Sequence, residues 1–149
     1  MEAVILIGIQ ASGKSTFCYK NFFDTHVRIN LDMLRTRHRE MLLLRACLEG
    51  KQKFVVDNTN ITAADRRRYI VPAKAAGFSV VGYYFSSRLE EALMRNRRRT
   101  GKSRIPDMGI AGMYKRLEFP RKEEGFDLLY YVRITETGEF IVEEWKDEF

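Results

Sequence analysis

The segment "AVILIGIQASGKS" (3–15) constrains this chain more than any other. An apolar run over residues 3–9 reads as a strand buried on both faces. It runs into "GIQASGKS" (8–15), in which two glycines flank four residues and a Lys-Ser pair follows. Such glycines let the backbone close into a nest whose N–H groups point at an anion. The helix expected from Gly13 to Phe22 adds its positive N-terminal end. Lys14 is placed to reach the β- and γ-phosphates of a nucleoside triphosphate, and the Ser15 hydroxyl to ligate Mg²⁺. Gly8, Gln10, Ala11, Ser12, Gly13 and Thr16 complete the expected cradle.

The rest of the chain alternates in the same manner. "HVRIN" (26–30), "KFVVD" (53–57) and "FSVVGYYF" (78–85) read as strands. One helix is expected over 31–49, ending at Gly50. "TAAD" (62–65) has capping-box spacing and opens a helix toward Gly77, with Pro72 inside it. "SRLE" (87–90) opens another to about Arg99. Pro106 is expected to begin a further short helix. "FDLLYYVRI" and "EFIVEEW" flank "TETG" as a hairpin. Strands alternating with helices predict a three-layer α/β/α fold with a mainly parallel sheet and an antiparallel pair at the C-terminal end. Ligands of such sheets bind beyond the carboxyl ends of the strands.

With 149 residues, one domain and one core are expected. The net charge of +6 gathers in "LRTRHRE", "DRRRY" and "MRNRRRTGKSR", while the C-terminal end is acidic. A basic middle suits a polyanionic partner, although arginines also keep helix faces solvated. Cys18 and Cys47 have no metal-ligand spacing and read as reduced, buried thiols of a cytoplasmic protein. Glu2 stands where a secretory leader carries a basic residue. No apolar stretch approaches the ~20 residues of a membrane helix.

On a single helix over 31–49, Leu34, Met41, Leu44 and Leu48 share one stripe, and Asp32, Arg35 and Arg39 the opposite face. Leu43 falls on that polar side as a misfit. Asp32 follows the second strand, beside the phosphate loop, where a carboxylate can accept a proton from an attacking hydroxyl. It also suits a helix first turn on dipole grounds alone. "VVDNTN" (55–60) closes the third strand with Asp57, at a place suited to holding Mg²⁺ and its waters. Asn58 and Asn60 equally suit an Asx-type turn. In the helix from 88 to 99, Leu89, Ala92 and Leu93 make an apolar side and Arg95, Arg98 and Arg99 the other. With the basic loop after it, this segment (about 88–106) reads as a lid over phosphates.

These motifs resemble the kinase domain of the 5′-hydroxyl polynucleotide kinases, a branch of the P-loop phosphotransferases. The likeness covers roughly residues 3–134. "GIQASGKSTF" is similar to the family's phosphate loop, "INLDMLR" to its N-x-D element, "VVDNTNITAADRRRY" to its D-N-T-N segment, and "RNRRRTG" to its arginine lid. The resemblance implies ATP and Mg²⁺ at Lys14 and Ser15. It implies Asp32 as general base, and Arg35 holding either Asp32 or a substrate phosphate. Asp57, Asn58 and Asn60 would line the acceptor and metal-water side, and Arg95 and Arg99 would clamp the ATP phosphates. Leu31 stands where family members often carry a basic residue.

The implied substrate is a DNA or RNA 5′-hydroxyl end, in single-stranded form, with any phosphatase or ligase partner on a separate chain. Two other readings keep the phosphate loop. One is a kinase of a small-molecule hydroxyl, and the other a nucleotide-gated nucleic-acid-binding module. Tyr114 and Phe119 could stack on a terminal base, but core packing is the stronger expectation for them.

Overall fold

The computed structural model describes residues 1–86, 89–101 and 104–146. The apolar runs form a six-stranded sheet. Its strands are β1 (Glu2–Ile7), β2 (Val27–Ile29), β3 (Phe54–Val56), β4 (Ser79–Phe85), β5 (Leu128–Ile134) and β6 (Phe140–Glu144). Their order is β2-β3-β1-β4-β5-β6. The first five run parallel, and only β6 is antiparallel, against β5. The sheet is thus the mainly parallel one expected, with β5 itself joining in parallel. At the hairpin, Gly138 adopts φ 85° and its N–H donates to Thr135 O at 3.0 Å.

Both faces of β1 are covered, which explains its unbroken apolar run. On one face Ala3, Ile5 and Ile7 join Leu44, Cys47, Tyr69, Ile70 and Ala73. These come from α3 (Arg37–Glu49) and α4 (Ala63–Ala75). On the other face Val4 and Leu6 meet Phe17, Cys18 and Phe22 of α1 (Lys14–Phe22). Phe17 sits among Phe22, Tyr83, Phe85 and Phe140, with ring centroids 5.1–6.0 Å away. Each such pair adds about 0.5–1.5 kcal/mol beyond burial, so the start of α1 is firmly seated. Cys18 and Cys47 are free and buried, as expected.

The expected helix over 31–49 is two helices. A short α2 (Leu31–Leu34) stops at Arg35, whose φ of 79° no α-helix accommodates, and α3 restarts at Arg37. Thr36 caps the new start by accepting from Arg39 N at 3.1 Å. Asp32, Arg35 and Arg39 therefore do not share a helix face, and the reasoning that grouped them on one does not hold. The break also resolves Leu43, which packs against the core, and leaves Met41 exposed.

α4 is capped by Thr62, accepting from Asp65 N, and continues past Pro72 to Ala75. α5 (Leu89–Arg98) and α6 (Asp107–Arg116) stand over the phosphate loop. Ala92 and Ile110 bury with Ile9 and Ala11 there. Pro106 sits at the N-cap of α6. Ser87 and Arg88, part of the expected cap of α5, and Lys102 and Ser103 of the basic loop lie outside the described residues. Tyr114 and Phe119 are exposed, and Phe119 meets Tyr84 edge-on at 5.6 Å. No helix among the described residues is long and apolar enough to cross a membrane.

Candidate functional site

The carboxyl ends of β1, β2 and β3 open into a cleft of about 760 Å³. The loop residues Gln10–Lys14 line one part of it. Gly13 adopts φ 95°, and a Cβ there would stand 2.6 Å from Ile134 Cδ1. A Cβ on Gly8 would stand 2.9 Å from Ser12 Oγ and 3.2 Å from Phe85 O. Gly13 is demanded by its conformation, and a side chain at Gly8 would crowd the Phe85 backbone. Ala11 also adopts positive φ, at 65°.

Lys14 turns back into this loop. Its Nζ donates to Gly8 O at 2.9 Å, Ile9 O at 2.7 Å and Ser12 Oγ at 3.2 Å. Burial lowers its pKa to about 8, with a further lowering by Arg99. Asp57 and Asp32 act in the opposite direction. One ammonium therefore feels both carboxylates and the arginine at the end of α5.

Ser15 Oγ donates to Asp57 Oδ2 at 3.0 Å, joining the first turn of α1 to the end of β3. The same oxygen accepts from Arg28 Nε at 2.8 Å, and the Asp57 side chain is 1% exposed. A buried carboxylate oxygen beside a hydroxyl is a donor pair suited to a hard cation. The guanidinium of Arg28 neutralises the charge meanwhile.

The D-N-T-N segment is stitched to its neighbours by its own amides. Gly8 N donates to Thr59 O at 2.9 Å. Asn60 adopts φ 48° and spends its side-chain nitrogen on Leu6 O at 2.8 Å. Arg66, fully buried, donates to Asn60 O and forks onto both oxygens of Glu124 at 2.7 and 3.0 Å. Asn58 Oδ1 accepts from Leu31 N at 2.8 Å. Its Nδ2 donates to Glu40 Oε2 at 3.0 Å and Tyr69 OH at 3.1 Å. Asn30 caps α2 by accepting from Met33 N, and donates to Asp57 O at 2.5 Å. The turn of helix carrying Asp32 is thus fixed from both sides to the end of β3.

Asp32 is exposed and lines the cleft with Arg35, facing the same space as Lys14, Ser15, Asp57, Asn58, Asn60 and Arg99. Gln10, Ala11, Ser12 and Gly13 line it too. Gly8 supports the loop from behind, and Thr16 is exposed outside the lining residues. Arg95 braces the loop instead of lining the cleft, donating to Ala11 O at 3.2 Å.

Three residues that sequence reasoning passed over carry this geometry. Arg28, in a three-residue strand, reads as an ordinary surface cation. Glu40 lies in "RHRE" and reads as solvated, yet it is 2% exposed and accepts from Arg37, Tyr69 and Asn58. The Arg37–Glu40 spacing of i,i+3 was the available signal. Asn96, among arginines, is buried and exchanges two hydrogen bonds with the backbone of Ile105, tying α5 to the segment before α6.

A family model described as an AAA domain matches residues 4–120. A bifunctional polynucleotide phosphatase/kinase of Schizosaccharomyces pombe is 28% identical over 129 residues, covering 84% of this chain and 32% of that protein. An L-seryl-tRNA(Sec) kinase of Methanococcus maripaludis is 28% identical over 145 residues, covering 84% of this chain and 56% of that one. The chain thus spans about a third of the first relative and just over half of the second. The crystal structure of Chaetomium thermophilum Kti12 in complex with ADP-AlF3 shares the fold. Its TM-score is 0.68 at 16% identity, over 91% of this chain and 92% of that one.

Proposed function

The chain belongs to the AAA-domain family, and from that premise we propose that it transfers the γ-phosphate of ATP to the 5′-hydroxyl end of DNA or RNA. Its fold and loop are those of a P-loop kinase; the acceptor is the step taken here. The observation that carries the reading is the placement of Asp32. It stands in one cleft with Lys14, Ser15 and Asp57, close enough to Lys14 for the ammonium to feel its charge.

In this reading the loop amides and Lys14 hold the β- and γ-phosphates. Ser15 and Asp57 supply oxygen donors for Mg²⁺, the remaining ligands being phosphate oxygens and water. The bound ion would screen charge on the transferring group. Asp32 takes the proton of the acceptor hydroxyl as it attacks in line. Arg35 binds a phosphate of the acceptor strand or holds Asp32. Arg99 neutralises charge on the moving phosphoryl oxygens, and Arg95 supports the loop that holds the donor. The two curated relatives, both named as kinases of nucleic-acid-borne acceptors, support a polyanionic acceptor, as does the charge of +6.

The test is radiolabelled ATP with 5′-hydroxyl DNA and RNA oligonucleotides, a nucleoside and sugar panel, seryl-tRNA, and no acceptor. Label on oligonucleotide 5′ ends is expected. Label confined to a small molecule or to seryl-tRNA overturns the acceptor assignment. Tight salt-dependent binding without transfer to any acceptor overturns the enzymatic reading.

A further inference from the structure

Outside the cleft, a groove of about 640 Å³ runs between α3 and α4. Met41, Leu44, Leu48 and Pro72 floor it, and Arg37, His38, Arg45 and Arg68 stand along it. Its one carboxylate is Glu40, already engaged by Arg37, Tyr69 and Asn58. The groove is therefore apolar below and cationic at its edges. Arg37 lines both this groove and the cleft, so the two adjoin at that residue. The guanidinium at that junction is held in place, donating to Glu40 Oε1 at 2.8 Å and Tyr69 OH at 3.1 Å.

We propose that the α3–α4 groove seats the acceptor strand as it leaves the cleft, taking the nucleotides 3′ of the one that is phosphorylated. This rests on the nucleic-acid reading above and adds the strand's route. Three features carry it. The groove and the cleft share Arg37 as a lining residue. Its edge charges complement a phosphate backbone. Its apolar floor suits the faces of unpaired bases and sugars, which a duplex keeps covered. From Arg37 to Leu48 the helix rises about 16 Å. That is room for up to about four nucleotides at the ~3.4 Å per-strand spacing of stacked bases.

The experiment measures binding apart from transfer. Octathymidylate with a free 5′-hydroxyl and a 3′ fluorescein is titrated with wild type, Arg45→Glu, Arg68→Glu and Met41→Glu, by anisotropy at several salt concentrations. Lys53→Glu, one residue before β3 and not among the residues that line the groove, matches the charge change. Each of the three groove variants is expected to weaken binding at least tenfold, and Lys53→Glu far less. For each arginine variant the slope of log Kd against log salt falls by about one.

The same proteins are then assayed for transfer to acceptors of one to eight nucleotides. A wild-type gain in kcat/KM with length that flattens in the groove variants supports the route. Groove variants that bind octathymidylate as wild type does overturn the route, even if transfer occurs. Weakened binding with no transfer to any nucleic acid supports the route and overturns the kinase assignment instead. Circular dichroism melts of each variant confirm the fold, and a variant that melts early is replaced by Arg45→Gln or Arg68→Gln.

Discussion

Ser15 and Asp57 lie 42 residues apart in the chain and meet at 3.0 Å, hydroxyl to carboxylate. The contact joins the helix after the phosphate loop to the strand beside it. It also sets the charge of the site, because Arg28 occupies the same oxygen. A cation arriving with ATP would find a carboxylate already desolvated and held by one ion pair.

Asp57→Asn keeps the shape and removes the charge. Mg²⁺-dependent enhancement of ATP binding is expected to weaken roughly 10–100-fold, a range typical of lost ligand-sphere carboxylates. Arg28 is partly exposed and can turn to water, so the melting temperature should move little. Titration of ATP with and without Mg²⁺ reads the effect. An unchanged Mg²⁺ response removes Asp57 from the metal's surroundings.

Lys14 makes ATP binding a proton-linked event. Burial lowers its pKa to about 8 in the free protein, and phosphates alongside would raise it again. Binding should therefore take up about half a proton at pH 8 and nearly one at pH 9. Calorimetry in buffers of different ionisation enthalpy measures this, and Lys14→Met should abolish it. The sign for stability follows from the same shift. Between pH 8 and the ordinary lysine value of 10.5, the unfolded chain holds a proton that the folded one has released. Stability of the free protein from this group therefore rises with pH across that window.

Glu40 is a buried acceptor with three donors, one of them Asn58, which in turn anchors Leu31 beside Asp32. Glu40→Ala deprives the Tyr69 O–H, the Asn58 amide and the Arg37 guanidinium of their shared carboxylate acceptor and should cost about 3 kcal/mol in denaturant unfolding. Tyr69→Phe, which removes one hydroxyl, should cost about 1 kcal/mol. Equal costs for the two would mean that the network does not converge on Glu40.

Arg35 holds φ at 79° between two helices, a conformation that costs a side-chain-bearing residue about 1–2 kcal/mol. Arg35→Gly should be more stable than Arg35→Ala by about 1 kcal/mol, while both lose phosphoryl transfer. Thermal melts of the pair decide it. Alanine as stable as glycine would mean that the backbone is not strained there.

The fold was legible because its signals are local and redundant. The β1 run, the glycines at 8 and 13 and the Thr62 cap each admit few backbones. Part of the cleft's lining was legible too, since the carboxyl ends of parallel strands lie side by side, but Gly8, Thr16 and Arg95 fall outside it. The break at Arg35 was hidden, because "MLRTRHRE" is rich in helix formers, and the one local signal, the Thr36 cap, lies in the middle of an apparently continuous helical pattern. The functions of Arg28 and Glu40 were hidden for a related reason. Their charges are common on surfaces, and the partners that engage them, Asp57 at the end of β3 and Tyr69 of α4, each lie 29 residues away in the chain. Arg95 and Arg99 share one expected role in the sequence, yet the first braces Ala11 and the second faces the cleft.

Asp32 is the residue on which the account turns. Transfer of label from γ-³²P-ATP to a 5′-hydroxyl oligonucleotide, measured for wild type and Asp32→Asn alongside ATP affinity, tests it most directly. The account predicts a loss of roughly 10²–10⁴-fold in transfer with ATP binding retained. Transfer by Asp32→Asn at the wild-type rate would contradict it.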